Sequence, residues 1–253
     1  MLNKKLLIIG LVATFSFGSG LAADGKVYLQ QAQAEYAEYE KSYIDDDARN
    51  RAKALFEQAA QAGEVEALLK LAEIARHDND YSKSELLLKQ AIDKGSDQAL
   101  SDLATQYTFD GDLIKALPWW EKSAAQGNAM SLATLGQIYA DPSFAEQAGK
   151  SADPDLSIDY YQKALKVVGD DPDERDTING GLAKSYFMKE DYANGLNVLE
   201  KLRDSSDIKN YYLGILYENG WGVTQDMIKS KAYYQKAADL GNPEASDRLA
   251  VWE

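Results

Sequence analysis

Apolar residues along this chain recur at helical spacing, in short blocks separated by glycine-containing turns. The clearest block is Tyr211–Asn242. Leu213, Gly214 and Tyr217 share one helical face, Gly220 and Gly222 mark a turn, and Ala232, Tyr234, Ala237 and Ala238 lie on a second helix that stops at Gly241. Weaker copies precede it. Gly63, Gly95 and Gly127 end second helices and stand 32 residues apart. Seven residues before each comes a large apolar side chain, Phe56, Leu88 and Trp120. Four after comes a small one (Ala67, Ala99, Ser131), eight after a leucine (Leu71, Leu103, Leu135), and nine after another small residue (Ala72, Ala104, Gly136). Twelve after come Ala75, Tyr107 and Tyr139. A repeat of about 20–50 residues is the mark of a solenoid.

Close helix packing accounts for the pattern. The small residue beside the leucine lets two helices approach, and the large side chain fills the space between neighbouring hairpins. The closing glycine takes the left-handed conformation that ends a helix. One hairpin cannot bury its apolar face alone, whereas stacked neighbours can.

The register predicts six hairpins, at 27–62, 64–94, 96–126, 128–168, 173–204 and 207–240, with a capping helix over 242–252. In the first, Tyr43 matches Tyr107, and Asp45, Asp46 and Asp47 suit the start of a helix. Residues 140–154 interrupt the fourth hairpin as an insertion with two prolines. Pro118 conflicts with a second helix in the third hairpin, so that helix is expected either to start near Leu117 or to bend.

Residues 1–22 read as a signal peptide. Lys4 and Lys5 precede an apolar run from Leu6 to Phe17, and Gly20-Leu21-Ala22 places small residues where a signal peptidase cuts. Cleavage is expected after Ala22, leaving one repeat domain over 23–253. No later run reaches membrane length, so no membrane insertion is expected after cleavage. The chain has no cysteine, hence no disulfide, no thiolate metal site and no lipid-attachment cysteine. A periplasmic or secreted location is therefore expected. With 27 basic against 41 acidic residues, a net charge of −14, the chain would repel a phosphate backbone, so nucleic acid is not an expected partner.

Leu213-Gly214-x-x-Tyr217, Gly220-x-Gly222-Val223, Asp226-x-x-Lys229 and Tyr233-Tyr234-x-Lys236-Ala237-Ala238-x-x-Gly241 together resemble the Sel1-like repeat. The other units look closer to the related tetratricopeptide repeat. Leu103, Ala104, Tyr107, Ala116, Trp120 and Ser123 fit that spacing in the third hairpin, and Leu182, Ala183, Tyr186, Gly195 and Leu199 fit it in the fifth. The resemblance covers about residues 30–250. It implies an all-α, right-handed α-solenoid acting as a scaffold or adaptor. Exported members of these families assemble envelope machinery or bind host proteins. Some cysteine-rich relatives are linked to penicillin binding, but this chain lacks those cysteines.

Little in the sequence points to catalysis. His77, the only histidine, falls at a helix end, where a cation suits the dipole. Ser206-x-x-Lys209 matches the S-x-x-K pattern of penicillin-recognising enzymes without its companion elements, and a helix start capped by Ser205 or Ser206 explains it. Asp170, Asp171, Asp173 and Glu174 lack the order of a calcium loop and suit a helix N-terminus, while Asp110-Gly111-Asp112 reads as a turn and cap. No catalytic residue, metal or cofactor is assigned. Trp119 is expected to pack at the Pro118 bend, and Trp221 to stand exposed at a loop tip as a contact residue.

A protein or peptide partner is expected on the face lined by the first helices. The spacing places Glu66, Glu73, Arg76, Gln98, Thr105, Gln137 and Lys184 outward there. The expected function is a non-catalytic exported scaffold in cell-envelope assembly or secretion. The alternatives are a secreted factor that binds a host protein, and a weak serine hydrolase or penicillin-binding activity.

Overall fold

The computed structural model describes residues 21–42 and 45–252. The predicted signal segment, 1–22, lies outside them apart from Leu21 and Ala22, as does Tyr43. The described residues form fourteen helices and no strand. They divide into two compact units, one ending at Ala99 and the other beginning at Leu100.

The first unit holds α1 (Leu21–Ser42), α2 (Asp46–Gln61), α3 (Val65–His77), α4 (Tyr81–Asp93) and the start of α5 (Asp97–Phe109). Helix α1 pairs with α2, α2 packs on α3, and α3 pairs with α4. Helix α1 begins six residues before the expected start at 27. The added turn packs tightly on the end of α2: a Cβ on Gly25 would lie 2.9 Å from the Ala62 side chain.

The second unit continues with α6 (Leu113–Ala125), α7 (Ala129–Ala140), α8 (Pro142–Gln147), α9 (Pro154–Val167) and α10 (Pro172–Met188), then α11 (Tyr192–Glu200), α12 (Asp207–Asn219), α13 (Met227–Asp239) and α14 (Pro243–Ala250). Helices α7 and α9 form the fourth hairpin, α10 and α11 the fifth, and α12 and α13 the sixth, with α14 packed on α13. The fold is all-α, built of the helical hairpins that the register predicts.

The aligned positions are core. Phe56, Ala67, Ala99, Leu103, Ala104 and Leu135 are fully buried, and Leu88, Trp120, Leu71, Ala72 and Tyr139 nearly so. Gly63, Gly95, Gly127 and Gly241 have φ of +105, +88, +84 and +95, the region the closing position requires.

A second pattern governs the other helix of each hairpin. Asp45, Asp80, Asp112, Asp153, Asp191 and Asp226 each cap a second helix by accepting a backbone N–H of its first turn. In the last five, a small buried residue follows at +4 (Ser84, Ala116, Ser157, Gly195, Ser230) and a large one at +8 (Leu88, Trp120, Tyr161, Leu199, Tyr234). Two of the serines bond across the hairpin, Ser157 Oγ donating to the Gly136 carbonyl and Ser230 Oγ to that of Gly214, each at 2.7 Å. The residue before the cap is left-handed in three turns, at Asn79 (φ 60), Gly111 (φ 76) and Glu190 (φ 59). Glutamate has neither glycine's freedom nor the short side chain of asparagine, so that conformation costs about 1–2 kcal/mol. Glu190→Gly is expected to raise stability by up to about 1 kcal/mol, read from the urea midpoint of wild type and variant.

Of the two alternatives at Pro118, the structure removes one. Helix α6 starts at Leu113 on its Asp112 cap and runs through Pro118, so it does not start late at Leu117. The carbonyl that loses its N–H partner to the proline is that of Ile114, whose side chain is 65% exposed, so water can satisfy it. Trp119 lies over the Lys122 ammonium at 4.3 Å. The insertion at 140–154 carries a short helix of its own. Asp141 and Pro142 start α8, Ala145 and Ala148 are buried, and the Asp153 N–H returns to the Tyr139 carbonyl at 2.9 Å.

The last helix is latched to the sixth hairpin. Glu218 accepts the Tyr234 hydroxyl at 2.7 Å and pairs with Arg248, whose guanidinium lies over the Trp252 ring. Trp252 in turn meets Tyr234 edge-on at 5.6 Å.

Candidate interaction groove on the first helices

Helices α7 and α10, the first helices of adjacent hairpins, pack side by side in the second unit. Between them runs an open groove of about 290 Å³. Met130, Ala133, Thr134 and Gln137 line one wall at the 3–4 residue spacing of a single helix face, and Glu174, Thr177 and Ile178 line the other. The Thr134 and Thr177 hydroxyls bond back to carbonyls of their own helices, Met130 and Asp173, each at 2.9 Å. Gln137 and Glu174 are left as the polar groups facing the groove, and Met130 is half exposed.

Tyr161 also lines this groove. Its ring is wedged between two glycines of consecutive hairpins. A Cβ on Gly136 would lie 2.9 Å from the ring, and one on Gly181 only 2.3 Å. The small residue beside the leucine therefore makes room for an aromatic ring, as well as for the approach of the second helix. Gly214 does the same beneath Tyr234, at 2.7 Å. Tyr161 is 6% exposed, yet its hydroxyl has no hydrogen-bond partner among the described residues. Burial pushes its pKa well above the usual phenol value, so it stays protonated and keeps its proton to donate.

The outward residues singled out in the sequence are not one cluster. Gln137 lies in the groove. Lys184, on α10, reaches Asp141 at 3.3 Å and so braces the cap of α8. Burial alone would raise the Asp141 pKa, but the N–H groups of Phe144 and Ser143 and the Lys184 ammonium hold it below the usual carboxylate range. Thr105 donates to the Ser101 carbonyl of its own helix at 2.8 Å. Trp221 is 38% exposed, with one face stacked on Tyr192 at 5.6 Å.

In the first unit, Glu66, Glu73 and Arg76 lie on α3, and Gln98 is exposed in the first turn of α5. Glu66 accepts from Gln33 of α1 at 2.7 Å, and Glu73 pairs with Lys70 at 2.9 Å. Burial, together with the carboxylates of Glu73 and Glu40, pushes the Tyr36 pKa up to about 12. Met130, Ala133, Thr134, Glu174, Thr177, Ile178 and Tyr161 were missed as groove residues. The spacing of 130, 133, 134 and 137 was legible, but which helix faced α7 was not.

The candidate chemical motifs have structural roles. Ser206 caps α12 by accepting the Lys209 N–H at 3.2 Å, and the Lys209 ammonium turns to Asp204 at 2.7 Å and to the Leu202 carbonyl. Asp171 caps α10, and Asp173 pairs with Arg203. His77 ends α3 and is exposed. Among the described residues no group of three or more His, Asp or Glu is placed to hold a metal ion, and no helix is long and apolar enough to cross a membrane.

Comparison with known proteins points to one family. The model of the Sel1 repeat matches residues 30–64, 99–128, 135–166 and 210–242, together just over half of the chain. No curated protein matches it. Among solved structures, a protective antigen present in uropathogenic Escherichia coli strains and displaying an SLR fold superposes with a TM-score of 0.63 at 21% identity, over 89% of this chain and 48% of the other. A Sel1 repeat protein from Oxalobacter formigenes gives 0.59 at 18% identity, over 86% of this chain and 88% of that one. The Cut9–Hcn1 hetero-tetramer of the APC/C gives 0.56 at 14% identity, over 92% of this chain and 47% of that one. The chain thus spans about half the length of the Escherichia coli protein it matches. These likenesses agree with the hairpin register in showing an α-solenoid fold. The chain belongs to the Sel1 repeat family.

Proposed function

We propose that this protein is an exported, non-catalytic adaptor that holds a peptide or protein segment in the groove between α7 and α10, in cell-envelope assembly or secretion. The observation that carries the reading is the groove itself. Met130 and Ile178 offer apolar contact, Gln137 and Glu174 offer polar groups, and the unpartnered Tyr161 hydroxyl remains to donate. A groove with apolar walls and a few placed polar groups suits a side chain and the adjoining backbone of a bound segment. The n-h-c pattern of residues 1–22 supports export. The engagement of the Lys209 ammonium by Asp204 leaves it poorly placed as a base for Ser206, which disfavours the serine-hydrolase alternative. Secretion to bind a host protein remains the second reading, motivated by the description of the Escherichia coli match as a protective antigen.

The test places a photo-reactive amino acid at Gln137 in the native cell. The expected result is one discrete adduct in the periplasmic fraction, on a chain that begins at Ala23, and its loss when Ala133→Trp fills the groove. An adduct that survives Ala133→Trp, or none at all, would sink the groove reading. Recovery of the protein only in the culture medium would favour the secreted alternative.

A further inference from the structure

Two cavities lie among α9, α10 and α11, of about 450 Å³ and about 290 Å³, and both have Leu165 and Lys201 in their walls. In a chain with 41 acidic residues, cations are expected to find carboxylates. Arg203 does, pairing with Asp173 and, at 2.8 Å, with Asp176. Arg175 lines the larger cavity beside Asp170 and Asp176, Lys166 lines the smaller and Lys201 both, and none of these three cations has a carboxylate within 4.0 Å among the described residues. The hydrogen bond of Arg175 is a long one, 3.4 Å to the Gly169 carbonyl.

Asn179 lies one turn from Arg175 on the same face of α10 and lines the larger cavity. It is 9% exposed, and its side-chain amide, still reached by solvent, makes no hydrogen bond to a described residue. Buried amides are normally paired, and one left open toward a cavity asks for a ligand or water. The lysines alone would mean little. Lys166 is in the last turn of α9 and Lys201 is the C-cap of α11, where the helix dipole favours a cation. Arg175 sits near the N-terminus of α10, where the dipole disfavours one.

We propose that these adjoining cavities bind the carboxylate side chains of an acidic peptide. The Arg175 guanidinium takes one carboxylate in a two-pronged pair, and the Asn179 amide donates to it. Lys201 and Lys166 take the next. Asn197 in the smaller cavity offers both a donor and an acceptor to a peptide backbone, and Leu165 offers an apolar contact. A hydroxyl-rich acidic sugar would leave that contact unused, which favours the peptide. The inference is independent of the groove between α7 and α10.

Fluorescence anisotropy of a fluorescein-labelled hexaglutamate peptide, with the chain from Ala23 onward, tests it. Binding is expected to weaken as salt rises. Arg175→Gln and Lys201→Gln are each expected to weaken it about tenfold or more, and Asn179→Ala to weaken it at unchanged peptide charge. Lys231→Gln removes an equal charge from α13 and should leave affinity as it was. Lys201 is exposed, so its variant keeps the fold even if Asn179→Ala does not. No binding, or equal losses for Lys231→Gln and Arg175→Gln, would overturn the site. Tighter binding of an oligogalacturonate than of the peptide would overturn the peptide assignment.

Discussion

Leu103→Ala is expected to lower the unfolding free energy by about 2–5 kcal/mol. Leu103 is 0% exposed in the middle of α5, and Ala99 and Ala104 on the same helix are also fully buried. Short neighbours cannot swing in to fill the space, so the substitution leaves a cavity as well as losing apolar burial. All four tryptophans, Trp119, Trp120, Trp221 and Trp252, lie in the unit that begins at Leu100, so their fluorescence in urea reports the unit that holds Leu103. Ile228→Ala, in the same unit and at a residue 84% exposed, is the comparison and should cost under about 0.5 kcal/mol. If the two variants unfold at the same midpoint, the eight-after-glycine position is not core and the repeat register fails.

Tyr161→Ala is expected to cost about 3–5 kcal/mol, the range for removing a buried aromatic side chain. The ring sits between Gly136 of its own hairpin and Gly181 of the next, and neither glycine has a side chain to close the gap. Gly181→Ala tests the same contact from the other side. Its added carbon would meet the Tyr161 ring at 2.3 Å, an overpacking expected to cost about 1–3 kcal/mol. Tyr161→Phe keeps the ring and removes only a hydroxyl that has no partner among the described residues, so stability should change by less than about 1 kcal/mol. Photo-adduct yield at Gln137 should nevertheless fall with Tyr161→Phe, because the hydroxyl is free to serve the bound segment. A loss under about 1 kcal/mol for Tyr161→Ala would contradict the wedge. Unchanged adduct yield with Tyr161→Phe would remove the hydroxyl from the site.

Local features were legible where one residue suffices to fix a conformation. The glycines at 63, 95, 127 and 241 take the left-handed φ that the pattern assigns them. Asp112 and Ser206 cap the helices they were expected to start. The regular cap on second helices, aspartate with a small residue at +4 and a large one at +8, was equally present in the sequence. A register counted from the closing glycines does not reveal it, because the fourth and fifth hairpins have no glycine at that position. At Pro118 propensity alone left a late start open, because it treats the lost hydrogen bond as a fixed penalty. The carbonyl that loses its donor belongs to Ile114, on the exposed side of α6, where water can reach it.

Side-chain partnership was much less legible. Periodicity marked Lys184 and Thr105 as outward, but not that one would brace α8 and the other bond its own backbone. Arg175 and Asn179 carried no signal at all, because an arginine and an asparagine in a charged first turn look like ordinary helix surface.

The sequence by itself determined that this is an array of helical hairpins. Glycine, aspartate and the alternation of small and large residues act within a few positions of each other, so their spacing alone fixes each hairpin. Only the tertiary structure decided which helix faces meet. The groove between α7 and α10, the ring of Tyr161 between two glycines and the open amide of Asn179 all depend on residues from different hairpins, and their packing is set by contacts that spacing along one helix does not encode.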